Sequence, residues 1–477
     1  MKRDPEHSND AQFIVEQSRR GDRQSAGREV SRRTEELIDK TGRGLDLAQA
    51  DFSNLDLSGF DLRKANLNRA GLFGTRLIGA DLSGSSLVCA GIERTKFNKA
   101  VLRGAYVHAL AAQASDFSEA DMRELVDATG SLFHGCFLVG AQLGGAELAG
   151  ATFYQCNFGR VDLSNADLHG AVFNECTLKD AVLIGAHLDN TSLTKSNVRG
   201  AVLRGSRGHG LVIQRPTAAD GLVLENAHLP SLRLLDVRGC GINAESLRAS
   251  GIDVEGGDLS EISLCDADLR HGRIIGASMN AARLDRALLQ ESSWRGVTAR
   301  GVQGTGIQAE GFTATECSLA DAVLTRFAGR YATFRNCDLS RADLEMSYLY
   351  RASVIGDPPA SASMRGVRLD GANLTQAYLA ADFTEASLPH GWATYARINQ
   401  SVFDGADLRG TLLFRASAVK TEFNGAQLGG QRGGLLADRC IGLAEALRGS
   451  KDPEAAGVAD AIEELAALLA RDPGKST

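Results

Sequence analysis

Cys136, Cys156 and Cys176 stand 20 residues apart, and Cys317 and Cys337 repeat the interval. Sulfur at a fixed spacing is the arrangement in this chain that comes nearest to a metal or redox site. The rest of the sequence does not support that chemistry. The chain has 9 cysteines, an odd number, with no CxxC pair, and its 9 histidines are scattered. His134, His169 and His187 do not recur at 20 residues, and no His pairs with Cys or a carboxylate at ligand spacing. Each of the three regularly spaced cysteines takes a place usually held by Ala, and a buried thiol behaves as a small hydrophobe. Stacked free thiols are therefore expected, with neighbours near disulfide range.

Carboxylates are the second candidate. Asp46, Asp51, Asp56, Asp61, Asp81, Asp116 and Asp121 fall at one recurring position. Paired carboxylates can do acid and base work, but a hydrolase also needs a cleft. Asp61 and Asp81, 20 residues apart, are expected to lie close on one face. They read either as a solvated polar surface or as an acidic strip for a basic partner. The C-terminal Gly474-Lys475-Ser476-Thr477 echoes a phosphate loop, but Leu469 stands where the motif needs its first Gly. No Ser-His-Asp order and no nucleophile elbow is visible. The expectation is no catalytic residue, no cofactor site and no metal site.

The elements that must position these residues follow from a repeat. In Ala50-Asp51-Phe52-Ser53-Asn54, Leu55-Asp56-Leu57-Ser58-Gly59 and Phe60-Asp61-Leu62-Arg63-Lys64, a large residue recurs every five positions. With that residue called i, a small one, often Ala, sits at i−2, and Asp or Asn is common at i−1. One residue is added near Ala128-Thr129-Gly130, another near Pro216–Gly221, and one is lost before Phe383. Followed from Leu47 to Leu428, the register gives 76 units. Period five fits neither a helix at about 3.6 nor a strand at about 2.0. It fits a chain that turns a corner every five residues. Four corners make a coil of 20, so 76 units imply 19 coils and, at about 4.8 Å per coil, a rod about 90 Å long.

This pattern resembles the pentapeptide-repeat family, whose consensus is A-(D/N)-L-x-x, over about four fifths of the chain. The resemblance implies an all-β solenoid, a right-handed quadrilateral parallel β-helix. In it i and i−2 point inward while i−1, i+1 and i+2 point outward. Two stretches exchange the inward pair. Val237, Ile242, Leu247 and Ile252 are large at i−2, against Gly239, Ala244, Ala249 and Val254 at i. Val297/Ala299, Val302/Gly304, Ile307/Ala309 and Phe312/Ala314 repeat the exchange. Either the core conserves volume while the positions swap, or the register shifts by two. Phe133, Phe153 and Phe173 are expected to form an inward ladder.

Three segments result: 1–44, an N-terminal helical cap or extension; 45–430, the repeat β-helix; and 431–477, a C-terminal helical hairpin. In the last, Leu436, Cys440, Leu443 and Leu447 keep helical spacing. Asp452-Pro453 reads as N-cap and first residue of a second helix. Its stripe of Val458, Ile462, Leu465 and Leu469 is either a cap on the last coil or a homodimer seam. Two interruptions, with His209, Pro216 and Asp220 in one and Asp357, Pro358 and Pro359 in the other, are either partner-binding loops or tolerated defects.

Composition limits the rest. Gly is 53 of 477 residues but Pro only 8, which excludes collagen. A 43% hydrophobic share opposes disorder. No apolar run approaches the ~20 residues of a membrane span. The polar start Met1–His7 has no signal-peptide core, and with reduced thiols this points to the cytoplasm. Export without a cleavable signal stays open. A net charge of −7 with no basic stripe speaks against nucleic-acid binding. Two functions remain. One is a non-catalytic scaffold or adaptor that binds unidentified proteins through its faces and loops. The other comes from the resemblance: Qnr and MfpA-type members, associated with antibiotic resistance, present a DNA-like surface to DNA gyrase. It implies a DNA-mimicking modulator or protector of a type II topoisomerase.

Overall fold

The computed structural model describes residues 43–358, 361–428, 440–450 and 453–471. The N-terminal helical segment expected over 1–44 lies outside them except for its last two residues, as do Leu436 and Asp452. The chain divides into two compact units, Met1–Ile242 and Asn243–Thr477.

The backbone amides of one pentad, Ala80-Asp81-Leu82-Ser83-Gly84, explain the repeat. Ala80 N–H closes the local turn onto Leu77 O at 3.1 Å. Asp81 N–H reaches back to Phe60 O at 2.8 Å, and Leu82 and Gly84 reach forward to Val101 O at 2.6 Å and Arg103 O at 2.9 Å. Four of the five amides are thus paired by backbone. The fifth, Ser83 N–H, is taken by the Asp81 side chain, with Oδ1 at 2.9 Å. A backbone donor left without a partner is costly, so an acceptor at i−1 is a structural need of the coil. Gly84 closes the corner with φ 62. Its equivalents include Asn54 at φ 62 and Lys64 at φ 58, and among the described residues no Val, Ile or Thr has positive φ, since branching at Cβ clashes there.

Side chains then sort themselves. Ala80 and Leu82 are fully buried, and the same alternation of buried i−2 and i with exposed i+2 runs through both units. In the first unit the strands are β1 (Gly91–Glu93), β2 (Ala111–Gln113), β3 (Leu132–His134), β4 (Thr152–Tyr154), β5 (Val172–Asn174), β6 (Ser192–Thr194), β7 (Val212–Gln214) and β8 (Arg233–Leu235). The second unit has β9 (Asp253–Glu255), β10 (Arg273–Ile275), β11 (Ser293–Arg295), β12 (Thr313–Thr315), β13 (Thr333–Arg335), β14 (Ser353–Ile355) and β15 (Tyr378–Ala380). Within each unit consecutive strands pair in parallel. They line one side of a four-sided coil. The other three sides meet their neighbours through single bridges such as Asp46↔Asn66, Asp56↔Arg76 and Asp61↔Asp81.

The chain is therefore a parallel β-solenoid, but the turn count is corrected. Among the described residues, 13 turns are closed by paired strands, against the 19 coils implied by counting units. A corner every five residues leaves only three for a strand, and outside β1–β8 and β9–β15 neighbours touch through isolated bridges alone. Between β14 and β15 the register lengthens to Ser353↔Tyr378, five residues more than an ordinary turn such as Thr333↔Ser353. An added residue gives Ala111↔Leu132 and Val212↔Arg233, and the lost one gives Tyr378↔Arg397.

The exchange of large and small inward residues is also settled. Positive φ stays at i+2 through both stretches, at Gly241, Ser246, Gly251 and Gly256, then at Gly301, Gly306, Gly311 and Glu316. Val237, Ile242, Ala244, Val297 and Ala299 are all buried. The corners do not slip; only the volumes change places. At Gly239 a Cβ would come within 2.6 Å of the Ala219 carbonyl carbon. The expected ladder is present, with Phe133–Phe153 rings at 5.0 Å and Phe153–Phe173 at 4.8 Å.

At the end of the second unit Ile441 adds a bridge to Ser417. Helix α1 (Leu443–Arg448) follows with Leu443 and Leu447 buried. Helix α2 (Pro453–Arg471) packs on α1. Arg448 of α1 holds Glu463 of α2 through two bonds of 2.6 Å.

If the side chain at i−1 completes the amide pairing, Asp81→Ala should destabilise the chain by about 0.5–1.5 kcal/mol, and Asp81→Asn, which keeps the acceptor, by clearly less. Urea denaturation of the three proteins reads this out; equal losses would contradict the assignment.

Candidate binding surface

Among the described residues the inward side chains at i−2 and i are packed and buried, as at Ala80 and Leu82. In the second unit a cavity of about 10 Å³ lies among Leu374, Phe403 and Phe423, at the lower limit for holding a single water. The outer faces carry the side chains that the core does not take up.

The candidate thiols are part of the core. Cys136, Cys156 and Cys176 are each no more than 2% exposed. The Cys156 and Cys176 sulfurs lie 3.3 and 3.4 Å from the Phe133 and Phe153 carbonyl oxygens of the preceding coil. Thr75 and Thr191 make the same bond from the same position, to Phe52 O at 2.8 Å and Leu168 O at 2.7 Å. The neighbouring Cys156 and burial push the Cys136 thiol well up. These thiols act as small donors at i−2. Among the described residues no group of three His, Cys, Asp or Glu is arranged to hold a metal ion.

The carboxylates have the backbone role found at Asp81. Asp46, Asp51, Asp56, Asp61, Asp116 and Asp121 accept from the N–H two residues on, at 2.9–3.2 Å. Asp61 and Asp81 are bridged neighbours. Arg63 lies with them, its Nε 2.8 Å from Asp61 Oδ1 and 3.6 Å from Asp81 Oδ2. The Arg63 hydrogen bond holds the Asp61 carboxyl down to about 2. Arg123, Arg270 and Arg409 likewise lower Asp121, Asp268 and Asp407. The column that starts at Asp61 continues through Asp81, Val101, Asp121 and Gln142. Each of its charges stands beside an arginine or a neutral residue.

The interruption at 208–221 stays close to the coil. Gly208 replaces the large i residue, and a Cβ there would lie 2.4 Å from Asp189 N. His209 is exposed, with its N–H on Asp189 Oδ1 at 2.9 Å. Pro216 is half-buried, and the added residue falls between Arg215 and Ala218, which is bridged to Asn197. Asp220 accepts the Cys240 N–H at 3.0 Å, and that bond lowers its carboxyl. The second interruption departs further. Asp357 and Pro358 are exposed; Asp357 N–H and Ser361 Oγ–H both reach Asn336 Oδ1, at 2.8 and 2.7 Å. Pro359 lies outside the described residues. On α2, Val458 and Ile462 are half-buried while Ala455 and Ala459 are fully buried. The side chains of Leu465 and Leu469 lie outside the described set.

One feature is missing from the sequence reading: a cluster of exposed rings in the second unit, with Tyr348 44% and Trp392 59% exposed. Five of the seven tyrosines fall between 331 and 395, and that clustering was the available signal.

Comparisons with known proteins agree with the repeat. The family model described as pentapeptide repeats matches in eight copies, over residues 46–84, 65–104, 129–165 and 166–205. No curated protein matches. Among solved structures, QnrB1, a plasmid-mediated fluoroquinolone resistance protein, is 17% identical over 55% of this chain and 88% of its own, with a TM-score of 0.16. HetL, a pentapeptide repeat protein involved in heterocyst differentiation regulation from the cyanobacterium Nostoc, is 20% identical over 83% of this chain and 92% of its own, with a TM-score of 0.13. A pentapeptide repeat protein of the Arabidopsis thaliana thylakoid lumen is 26% identical over 34% of this chain and 68% of its own, with a TM-score of 0.09.

The lowered Asp61 carboxyl implies a pH dependence. Its pairing stabilises the fold above the ordinary carboxylate range near pH 4 and is lost as pH falls toward about 2. Asp61→Asn keeps the acceptor for Arg63 N–H and loses the charge. The gap in urea midpoint between wild type and Asp61→Asn should be present at pH 7 and shrink between pH 4 and 2; a gap constant with pH would refute the pairing.

Proposed function

We propose that this pentapeptide-repeat protein is a non-catalytic scaffold that holds other proteins on the outer faces of its solenoid units. The observation that carries this reading is the division of roles within each pentad. Two side chains fill the centre, and three face outward on a backbone whose amides are already paired. Such a surface is stiff and its side chains are free to vary, which suits recognition.

The resemblance to gyrase-directed members supplies the alternative, a DNA-mimicking modulator or protector of a type II topoisomerase. A mimic of a polyanion needs a continuous acidic face. The pairs Arg63–Asp61, Arg103–Glu124 and Arg368–Asp343, at 2.5, 2.8 and 2.9 Å, interleave both signs and favour the scaffold. The acidic pair Asp61 and Asp81 and the segments at 209–220 and 357–358 are the positions that the mimic would use.

Photo-crosslinking residues placed at exposed positions 137 and 348 in the cell of origin should yield discrete adducts with a stoichiometric partner. The purified protein at micromolar concentration should leave gyrase supercoiling unchanged. Absence of any adduct from either face would remove the scaffold, and inhibition or protection of gyrase would install the alternative.

Self-association through the apolar stripe of α2 belongs to the same proposal. The wild type should then weigh twice its 50.5 kDa chain mass in solution, and Ile462→Glu with Leu465→Glu should halve that. A monomeric wild type leaves α2 with packing on α1 as its whole role.

A further inference from the structure

One side of the second unit is unlike the others. Its bridge column runs Ala328, Tyr348, Asn373, Trp392, Leu412. The corner residues that follow add Tyr331, Tyr350, Tyr395 and Phe414. No carboxylate occurs on this side over these five coils: the outward positions between 328 and 415 hold aromatic, amide, small or aliphatic side chains and three arginines.

The rings and arginines form two clusters. In the first, Arg330 stacks over Tyr331 at 4.7 Å and Arg351 over Tyr350 at 5.2 Å, while Tyr348 and Tyr350 lie parallel at 6.1 Å. In the second, Arg415 lies 5.2 Å from the Phe414 ring and donates from Nη1 to Tyr395 Oη at 3.0 Å. Asn373 separates them on the column, so Tyr348 and Trp392 stand two coils apart, about 10 Å. Arg351 gives its Nε–H to Gln376 Oε1 at 2.5 Å; a guanidinium has five N–H donors, and those beyond the ones used within the strip can bind a carboxylate. Trp392 is 59% exposed whereas Trp294, the other tryptophan, is 3% exposed. Exposed Trp and Tyr beside Arg are the residue types that dominate binding energy at protein interfaces.

We propose that this aromatic–arginine strip binds an acidic polypeptide segment of a partner protein. Carboxylates of the segment sit on Arg351 and Arg415, and its apolar side chains cover Tyr348 and Trp392. The charge of the strip selects the occupant: Arg330 is already paired with Glu310 of the coil before, at 3.7 Å, while Arg351 and Arg415 have no carboxylate on this side and call for a partner with acidic side chains. A phosphate backbone is the weaker match. The adjoining side of the same coils carries Asp343, Glu345 and Asp370 around the single Arg368, which repels a continuous polyanion wider than the strip. The proposal rests on the scaffold reading and supplies it with a surface and a partner chemistry.

The test uses the full chain and a random copolymer of glutamate and tyrosine as probe, followed by anisotropy of the labelled copolymer. Saturable binding that weakens with salt is expected. Trp392→Ala with Tyr348→Ala should weaken it at least tenfold, and so should Arg351→Glu with Arg415→Glu. Phe137→Ala, which removes an exposed ring from the first unit, should leave it unchanged. Circular dichroism confirms that each variant is folded. Equal binding by all variants overturns the proposal. So does tighter binding of single-stranded oligo(dT) through the same residues, or self-association that Trp392→Ala abolishes. If crosslinked partners persist with Trp392→Ala while the copolymer fails to bind, the strip falls and the scaffold stands; if no crosslinked partner exists, the scaffold itself falls.

Discussion

Each pentad of this chain has five backbone amides, and the geometry of a corner leaves one of them without a backbone acceptor. Three amides point along the solenoid to neighbouring coils and one closes the turn. The amide at i+1 faces outward between them. A side-chain acceptor two residues earlier removes the deficit, as Asp81 does for Ser83 and Asn157 for Gly159 at 3.0 Å. A neighbouring coil can also provide it: Asn68 Oδ1 takes the Val88 amide at 3.0 Å. The frequent Asp and Asn of the repeat therefore serve the backbone first.

That constraint shapes the surface. A carboxylate fixed by its own backbone stands in the same place on every coil, and an arginine at i+1 or one coil away can reach it. The result is a set of short local pairs, each exposed enough to contribute little to stability but together cancelling most of the long-range field. A solenoid built this way acquires a mixed surface unless its charges are arranged against the tendency. The strip between residues 328 and 415 is such a departure. It lacks the i−1 carboxylates entirely, and rings stand at two of those places, Tyr348 and Trp392.

The centre follows a different rule. Two inward side chains per corner must fill a narrow cross-section at native density. The corners keep their φ pattern whether the large residue is Leu at i or Val at i−2, so volume is conserved and order is free. Small polar groups are admitted at i−2, where several donate to a carbonyl of the coil before, as Thr75, Thr191 and Cys156 do. That is how Cys, Thr and Ser come to alternate with Ala there, and how a regular series of thiols can serve as core side chains.

The repeat, the four-sided coil, the inward ladder of Phe133, Phe153 and Phe173, and the turn-and-helix start at Pro453 were legible in the sequence, because each depends on contacts between residues at a fixed short spacing. The number of strand-paired turns was not. It depends on which of four equivalent corners straightens enough to form a ladder, and on where a turn takes up extra residues, as between Ser353 and Tyr378. Nor was the aromatic strip legible. Tyr331, Tyr348 and Tyr395 occupy outward positions that look interchangeable along the chain, and only the winding of the coil places them on one side. The sequence by itself determined the local geometry, since a corner every five residues and a buried pair per corner follow from residue type and period. The tertiary structure alone decided which outward residues are neighbours, because residues about 20 apart meet only when register, insertions and loops have been summed along the turn.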